Sequence, residues 1–91
     1  MFGERVKSLR LSLGLNQIEF GKKLNVTKQS VSNWENGNIQ PSIDMLIKIA
    51  TIFSVETDYL LGLDNTRRLD VSGLSEHQIS NIQQLINDLR K

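Results

Sequence analysis

One local signature occurs three times in this chain and limits what it can fold into. An apolar residue, a capping side chain and a second apolar residue stand at Leu15-Asn16 with Phe20, Val26-Thr27 with Val31, and Leu74-Ser75 with Ile79. Each triplet is the start of a helix: the polar side chain accepts from an early backbone N–H, and the flanking apolar pair staples the entry. Glu19 and Gln78 stand three residues after Asn16 and Ser75, which completes two capping boxes. The caps at Asn16 and Thr27 are close together, so the helix that Asn16 starts has about eight residues before a three-residue turn must intervene. Asn25 lies in that turn, where a left-handed backbone is often needed and Asn tolerates it.

The rest of the chain is punctuated in the same manner, and no strand pattern competes. Phe2, Val6, Leu9 and Leu13 follow helical steps and are closed by Gly14. After Pro41, Ser42 caps a helix with Ile43, Leu46, Ile49, Ala50 and Phe53 on one face. A short helix covers Thr57 to Leu61, ends at Gly62, and offers Tyr59, Leu60 and Leu61 to the core. Residues 63–74 read as a linker with a short extended piece at Leu69–Val71. The final helix carries Ile79, Ile82, Leu85, Ile86 and Leu89 as an apolar stripe on a polar background. The expected fold is all-α: a five-helix domain over 1–62, a linker over 63–74, and a C-terminal helix over 75–91.

Composition removes several classes of function. There is no cysteine, so disulfides, thiol catalysis and cysteine-based zinc sites are out. No apolar run reaches the 18 or so residues of a membrane span, and the N-terminus lacks a signal-peptide core, so a soluble cytoplasmic protein is expected. His77 is the one histidine and has no ligand partner at useful spacing; carboxylates are scattered and no glycine-rich phosphate loop occurs. No catalytic residue, metal or cofactor is therefore expected. The net charge of +1 hides an asymmetry: residues 1–40 hold six basic against three acidic residues, and residues 41–91 five against seven. A basic first half asks which face meets a polyanion.

The third helix answers with its face. Taking Lys28 as zero at roughly 100° per residue, Ser32, Asn36, Gln29 and Asn33 fall within roughly 140°, while Trp34 and Val31 group near 240° and 300°. The outer face thus holds only Lys, Gln, Ser and Asn, hydrogen-bonding side chains long enough to reach base edges. Two short helices around a tight turn, the second with its apolar pair inward, form a helix-turn-helix. From Arg10 to Gly62, the residues Leu15-Asn16-Gln17, Gly21-Lys22-Lys23-Leu24, Val31-Ser32-Asn33-Trp34-Glu35-Asn36-Gly37, Pro41, Leu46, Ile49-Ala50 and Asp58-Tyr59-Leu60-Leu61-Gly62 resemble the Xre-like family of phage repressors and Cro.

The resemblance implies a phage-repressor-like DNA-binding domain whose third helix lies in the major groove of double-stranded DNA. Lys28, Gln29, Ser32 and Asn33 match base-reading positions, and Arg10, Asn16, Gln17, Ser30 and Asn36 match phosphate-contacting ones. Arg10 and Glu35 also match a pair that ties the first helix to the third. The family binds two-fold sites as dimers, and the stripe of Ile79, Ile82, Leu85, Ile86 and Leu89 is the candidate for joining two copies; it either pairs with its mate or folds back on its own headpiece. No small-molecule effector domain is expected. The function implied is a transcription regulator, a repressor, with a protein-interaction module such as an antitoxin or anti-activator as the alternative. Three positions depart from the family: Gly21 for the usual Ala, Ser54 for the usual Gly, and a loop Asn38-Ile39-Gln40-Pro41 without a basic residue.

Overall fold

The computed structural model describes residues 2–90, so Met1 and Lys91, the outer ends of the expected first domain and last helix, lie outside the described residues. Six helices follow in order: α1 (Phe2–Ser12), α2 (Gln17–Leu24), α3 (Lys28–Glu35), α4 (Ile43–Ile52), α5 (Thr57–Leu60) and α6 (Glu76–Leu89). Among the described residues there is no strand, and Leu69–Val71 forms none.

The caps form as their chemistry requires. The Asn16 side chain accepts from the Glu19 N–H at 2.8 Å, and the Glu19 carboxylate accepts from the Asn16 N–H at 2.9 Å. Thr27 accepts from Ser30 N–H, Ser42 from Met45 N–H and Ser75 from Gln78 N–H, each at 3.1 Å. Asn25 takes the left-handed conformation (φ 58°) and its N–H closes on the Gly21 and Lys22 carbonyls. The Lys48 ammonium of α4 then donates to the Leu24 carbonyl at 2.7 Å, so a distant cation completes the end of α2. Ser54 also sits at φ 55°, a left-handed position that glycine adopts without a Cβ clash.

The core is built from α1 to α5. Phe2, Val6, Leu9, Phe20, Leu24, Val31, Trp34, Ile49, Val55, Tyr59 and Leu60 are buried in one cluster. The Phe20 and Phe53 rings stack at 4.6 Å and clamp α2 to α4. Two glycines set how closely the backbones approach. A Cβ at Gly3 would stand 2.6 Å from the Trp34 carbonyl oxygen and 2.8 Å from that of Glu35. At Gly21 it would stand 2.7 Å from the Val26 carbonyl oxygen, so the departure from alanine accompanies a tighter turn.

Three apolar expectations fail at the edges of helices. Leu13 is 43 % exposed because α1 ends at Ser12. Leu61 is 41 % exposed: α5 stops at Leu60, and the next residue turns outward. Ile43 is 75 % exposed; it lies roughly 90° around α4 from the centre of Leu46, Ile49 and Phe53.

Beyond α5 the chain is tacked onto the bundle by polar bonds. Arg5 donates to Asn65 at 2.6 Å, Arg67 to the Ser12 hydroxyl at 3.0 Å, and Arg68 to Glu56 at 3.3 Å and to Asp64. The Arg5 and Arg67 guanidinium carbons stand 4.7 and 5.9 Å from the Tyr59 ring centroid. The α6 helix follows and buries no residue; Ile79, Ile82 and Ile86 are half-buried, while Leu85 and Leu89 are 58 % and 76 % exposed.

Candidate nucleic-acid interface

Thr27 starts α3 and the Val31–Trp34 pair fixes its roll, with Val31 fully buried and Trp34 6 % exposed. That roll brings Lys28, Gln29, Ser32 and Asn33 together on the outer side, Lys28 and Gln29 exposed and the other two half-buried. Asn36, the residue that ends the helix, is exposed beside them. Along this face the side chains are already hydrogen-bonded to one another. Gln29 Nε2 donates to Asn33 Oδ1 at 3.1 Å and Asn36 Nδ2 to Ser32 Oγ at 3.3 Å, both at the one-turn spacing that places helical neighbours side by side.

Glu35, the one acidic residue of α3, is kept off this face. Its side chain is 3 % exposed, and the carboxylate accepts from Arg10 Nε at 2.6 Å, Arg10 Nη2 at 3.0 Å and Gln17 Nε2 at 3.2 Å. Arg10, 8 % exposed, sends its remaining Nη1 to the Leu15 carbonyl at 3.0 Å. One bidentate pair thus joins α1, the α1–α2 turn, the start of α2 and the end of α3. The hydrogen bond it donates to Glu35 holds the Arg10 guanidinium above its ordinary pKa, outweighing the opposing pull of burial.

The other expected contact residues border the face. Asn16 and Gln17 mark the start of α2, whose backbone N–H groups and positive dipole end favour an anion. The Asn16 oxygen is engaged in its cap, which leaves the Nδ2 group as a donor; Gln17 has one N–H on Glu35 and one remaining. Ser30 is half-buried, its hydroxyl 3.2 Å from that of Thr27. Ile79, Ile82, Leu85, Ile86 and Leu89 lie on α6, outside this cluster.

Sequence reasoning missed three supports of the site: Gly3 beneath the end of α3, Lys48 behind the end of α2, and the Gln17–Glu35 bond. A glycine at a helical position is the visible sign for the first; long-range partners leave no such sign.

Comparison with known proteins accords with this geometry. A model of the Helix-turn-helix family (HTH_3) matches residues 6–60. The chain is 34 % identical over 86 residues to the HTH-type transcriptional regulator ImmR of Bacillus subtilis (strain 168), covering 94 % of this chain and 68 % of that protein. It spans only 56 % of the SPbeta prophage-derived regulator YonR from the same organism, at 39 % identity. Among solved structures, the P22 c2 repressor protein in complex with synthetic operator 9T superposes with a TM-score of 0.66 at 30 % identity, over 70 % of this chain and 97 % of that one.

Proposed function

The chain belongs to the Helix-turn-helix family, and on that footing we propose that it is a transcriptional regulator, a repressor, which reads double-stranded DNA with α3 in the major groove. The observation that carries this reading is the outer face of α3: four base-length polar side chains, with the helix's only carboxylate turned under and neutralised by Arg10. A carboxylate on that face would repel the phosphates on both sides of the groove; beneath it, Glu35 acts as a brace.

Lys28, Gln29, Ser32 and Asn33 read base edges. Asn16, Gln17, Ser30 and Asn36 hold the phosphate backbone and fix register, while Arg10 positions α3 through Glu35. The division of labour is a reading domain over 1–62, a linker over 63–74 and a pairing helix over 75–91. Ile79, Ile82, Ile86 and Leu89 alternate at three- and four-residue steps, the spacing of a two-helix seam, and Leu85 widens it. A homodimer joined there carries two α3 helices to half-sites one turn of DNA apart, in the cytoplasm.

Selection from a pool of random duplexes by the full chain tests the function. A two-fold motif is expected to enrich, with Gln29→Ala relaxing preference at particular base pairs and Gln17→Ala weakening all duplexes alike. No enrichment at low salt would overturn the assignment.

A further inference from the structure

Eight asparagines occur in the chain, and only Asn36 is followed by glycine. The pair closes α3: Asn36 is the exposed residue that ends the helix, and Gly37 follows it at φ 74°. We propose that Asn36-Gly37 is a site of spontaneous deamidation, and that the carboxylate formed there switches off DNA binding by the unbound protein. The chemistry at Asn36 stands by itself; its effect on DNA rests on the function proposed above.

In the reaction the Gly37 backbone nitrogen attacks Asn36 Cγ. The new N–C bond closes a five-membered imide and the Cγ–Nδ2 bond breaks. Water carries the Gly37 amide proton to the departing nitrogen, which leaves as ammonia. A second water then opens the ring. Cleaving the bond to Cγ gives aspartate; cleaving the bond to the backbone carbon gives isoaspartate, with the main chain running through the side chain. Either way one ammonia is lost, one water is gained, and a neutral amide becomes a carboxylate that is ionised near neutral pH.

A side chain after asparagine crowds the attacking nitrogen. Gly37 has none, and nothing stands within 4 Å of where its Cβ would be. The helical geometry of Asn36 (φ −87°, ψ −3°) sends the Gly37 N–H to the Trp34 carbonyl at 3.2 Å, and the Asn36 amide is tied to the Ser32 hydroxyl at 3.3 Å. These two long hydrogen bonds form the gate. They lie in the last turn of α3, which frays without unfolding of the bundle. The product puts a negative charge at the negative end of the helix dipole, beside a face from which Glu35 has been turned away. A duplex phosphate held by Asn36 keeps the gate closed, so bound chains are spared and unbound ones age.

The test incubates the full folded chain in mildly alkaline buffer and weighs its proteolytic peptides. Conversion is expected at Asn36 ahead of the other asparagines, and Asn36→Gln abolishes it at that position. Ser32→Ala removes one bond of the gate and should speed conversion about 2- to 10-fold, whereas the duplex selected from a random pool should slow it. Asn36→Asp, with an unchanged melting midpoint, should bind every duplex about 10- to 100-fold more weakly. Asn36 that stays intact in the folded chain but converts in urea would overturn the proposal, because the fold would then shield the site. Duplex binding by the aged protein and by Asn36→Asp as tight as that of the parent would overturn the switch. A pool that yields no motif removes the DNA-reading function and the switch with it, whereas the mass change at Asn36 is read independently of both.

Discussion

Between Phe2 and Leu60 eleven apolar side chains are buried to 8 % exposure or less, whereas α6 has five apolar residues in its stripe and buries none. Both regions use the same entry signal, a capped helix with an apolar staple. They differ in what the apolar face meets. In α1–α5 it meets other helices of the same chain, so burial and folding are one event and add roughly 1.5–3 kcal/mol per large side chain. In α6 no residue of it is buried, and the full gain from burial awaits another surface. The linker reflects the same contrast, since hydrogen bonds and cation–π contacts rather than packed apolar groups tack residues 63–68 to the bundle. Helical sequence alone therefore does not make a folding unit; a covered face does.

The sharpest way to break the contrast is to damage the bundle from within. Glu35→Ala leaves the Arg10 charge buried and unpaired, and a loss of about 3 kcal/mol is expected in urea unfolding. Replacing both partners together, Arg10→Met with Glu35→Leu, should recover most of that loss; a single-variant loss below about 1 kcal/mol would show that the pair is not a brace. Next in size is Gly3→Ala. Its methyl group meets two backbone carbonyls that have no side-chain freedom to yield, so the loss is about 2 kcal/mol despite alanine's better helix propensity. Thermal melting reads it, and a stabilised variant would refute the close approach of α1 to α3.

The linker should respond to acid. The Arg68 side chain, and after it the Thr66 N–H, hold the Asp64 carboxyl below the usual aspartate range. A lowered value means that its contribution is complete above the ordinary aspartate pKa, about 4, and is lost as pH falls through the lowered value. The protection of the Thr66 amide, taken against its intrinsic exchange rate at each pH, should therefore fall on acidification, and Asp64→Ala should show the lower protection already at neutral pH. Equal exchange in the variant and the parent would exclude the carboxylate as the tether.

The smallest expected effect on stability is the most informative about α6. Ile82→Asp should leave the unfolding of the bundle within about 0.5 kcal/mol, because Ile82 is only half-buried and α6 holds no buried residue. In sedimentation the same variant should run as a monomer. A persisting dimer would remove the α6 seam, and a destabilised bundle would show that α6 packs on its own headpiece.

Capping was legible in the sequence because it is decided within four residues: Asn16, Thr27, Ser42 and Ser75 each find the expected backbone N–H. The left-handed Asn25 and the inward Val31–Trp34 pair are local for the same reason. The outer polar face of α3 could be drawn from helical angles alone. Ile43 stands roughly 90° around α4 from the centre of the apolar face, and so lies in solvent although it begins an apolar helix. Partners 24 and 60 residues apart, such as Lys48 with Leu24 and Arg5 with Asn65, depend on the assembled bundle and leave no periodic trace. The tie between Arg10 and Glu35 was implied by family resemblance alone, since partners 25 residues apart share no local pattern.

Because the Arg10–Glu35 brace lies beneath α3, the side chains that hold the helix and those that face outward are separate sets. Mutation can explore Lys28, Gln29, Ser32 and Asn33 without first repairing a weakened scaffold. Duplicated copies of such a gene are thus free to drift toward new operators while remaining folded, and a laboratory library randomised at these four positions should consist mostly of well-behaved proteins.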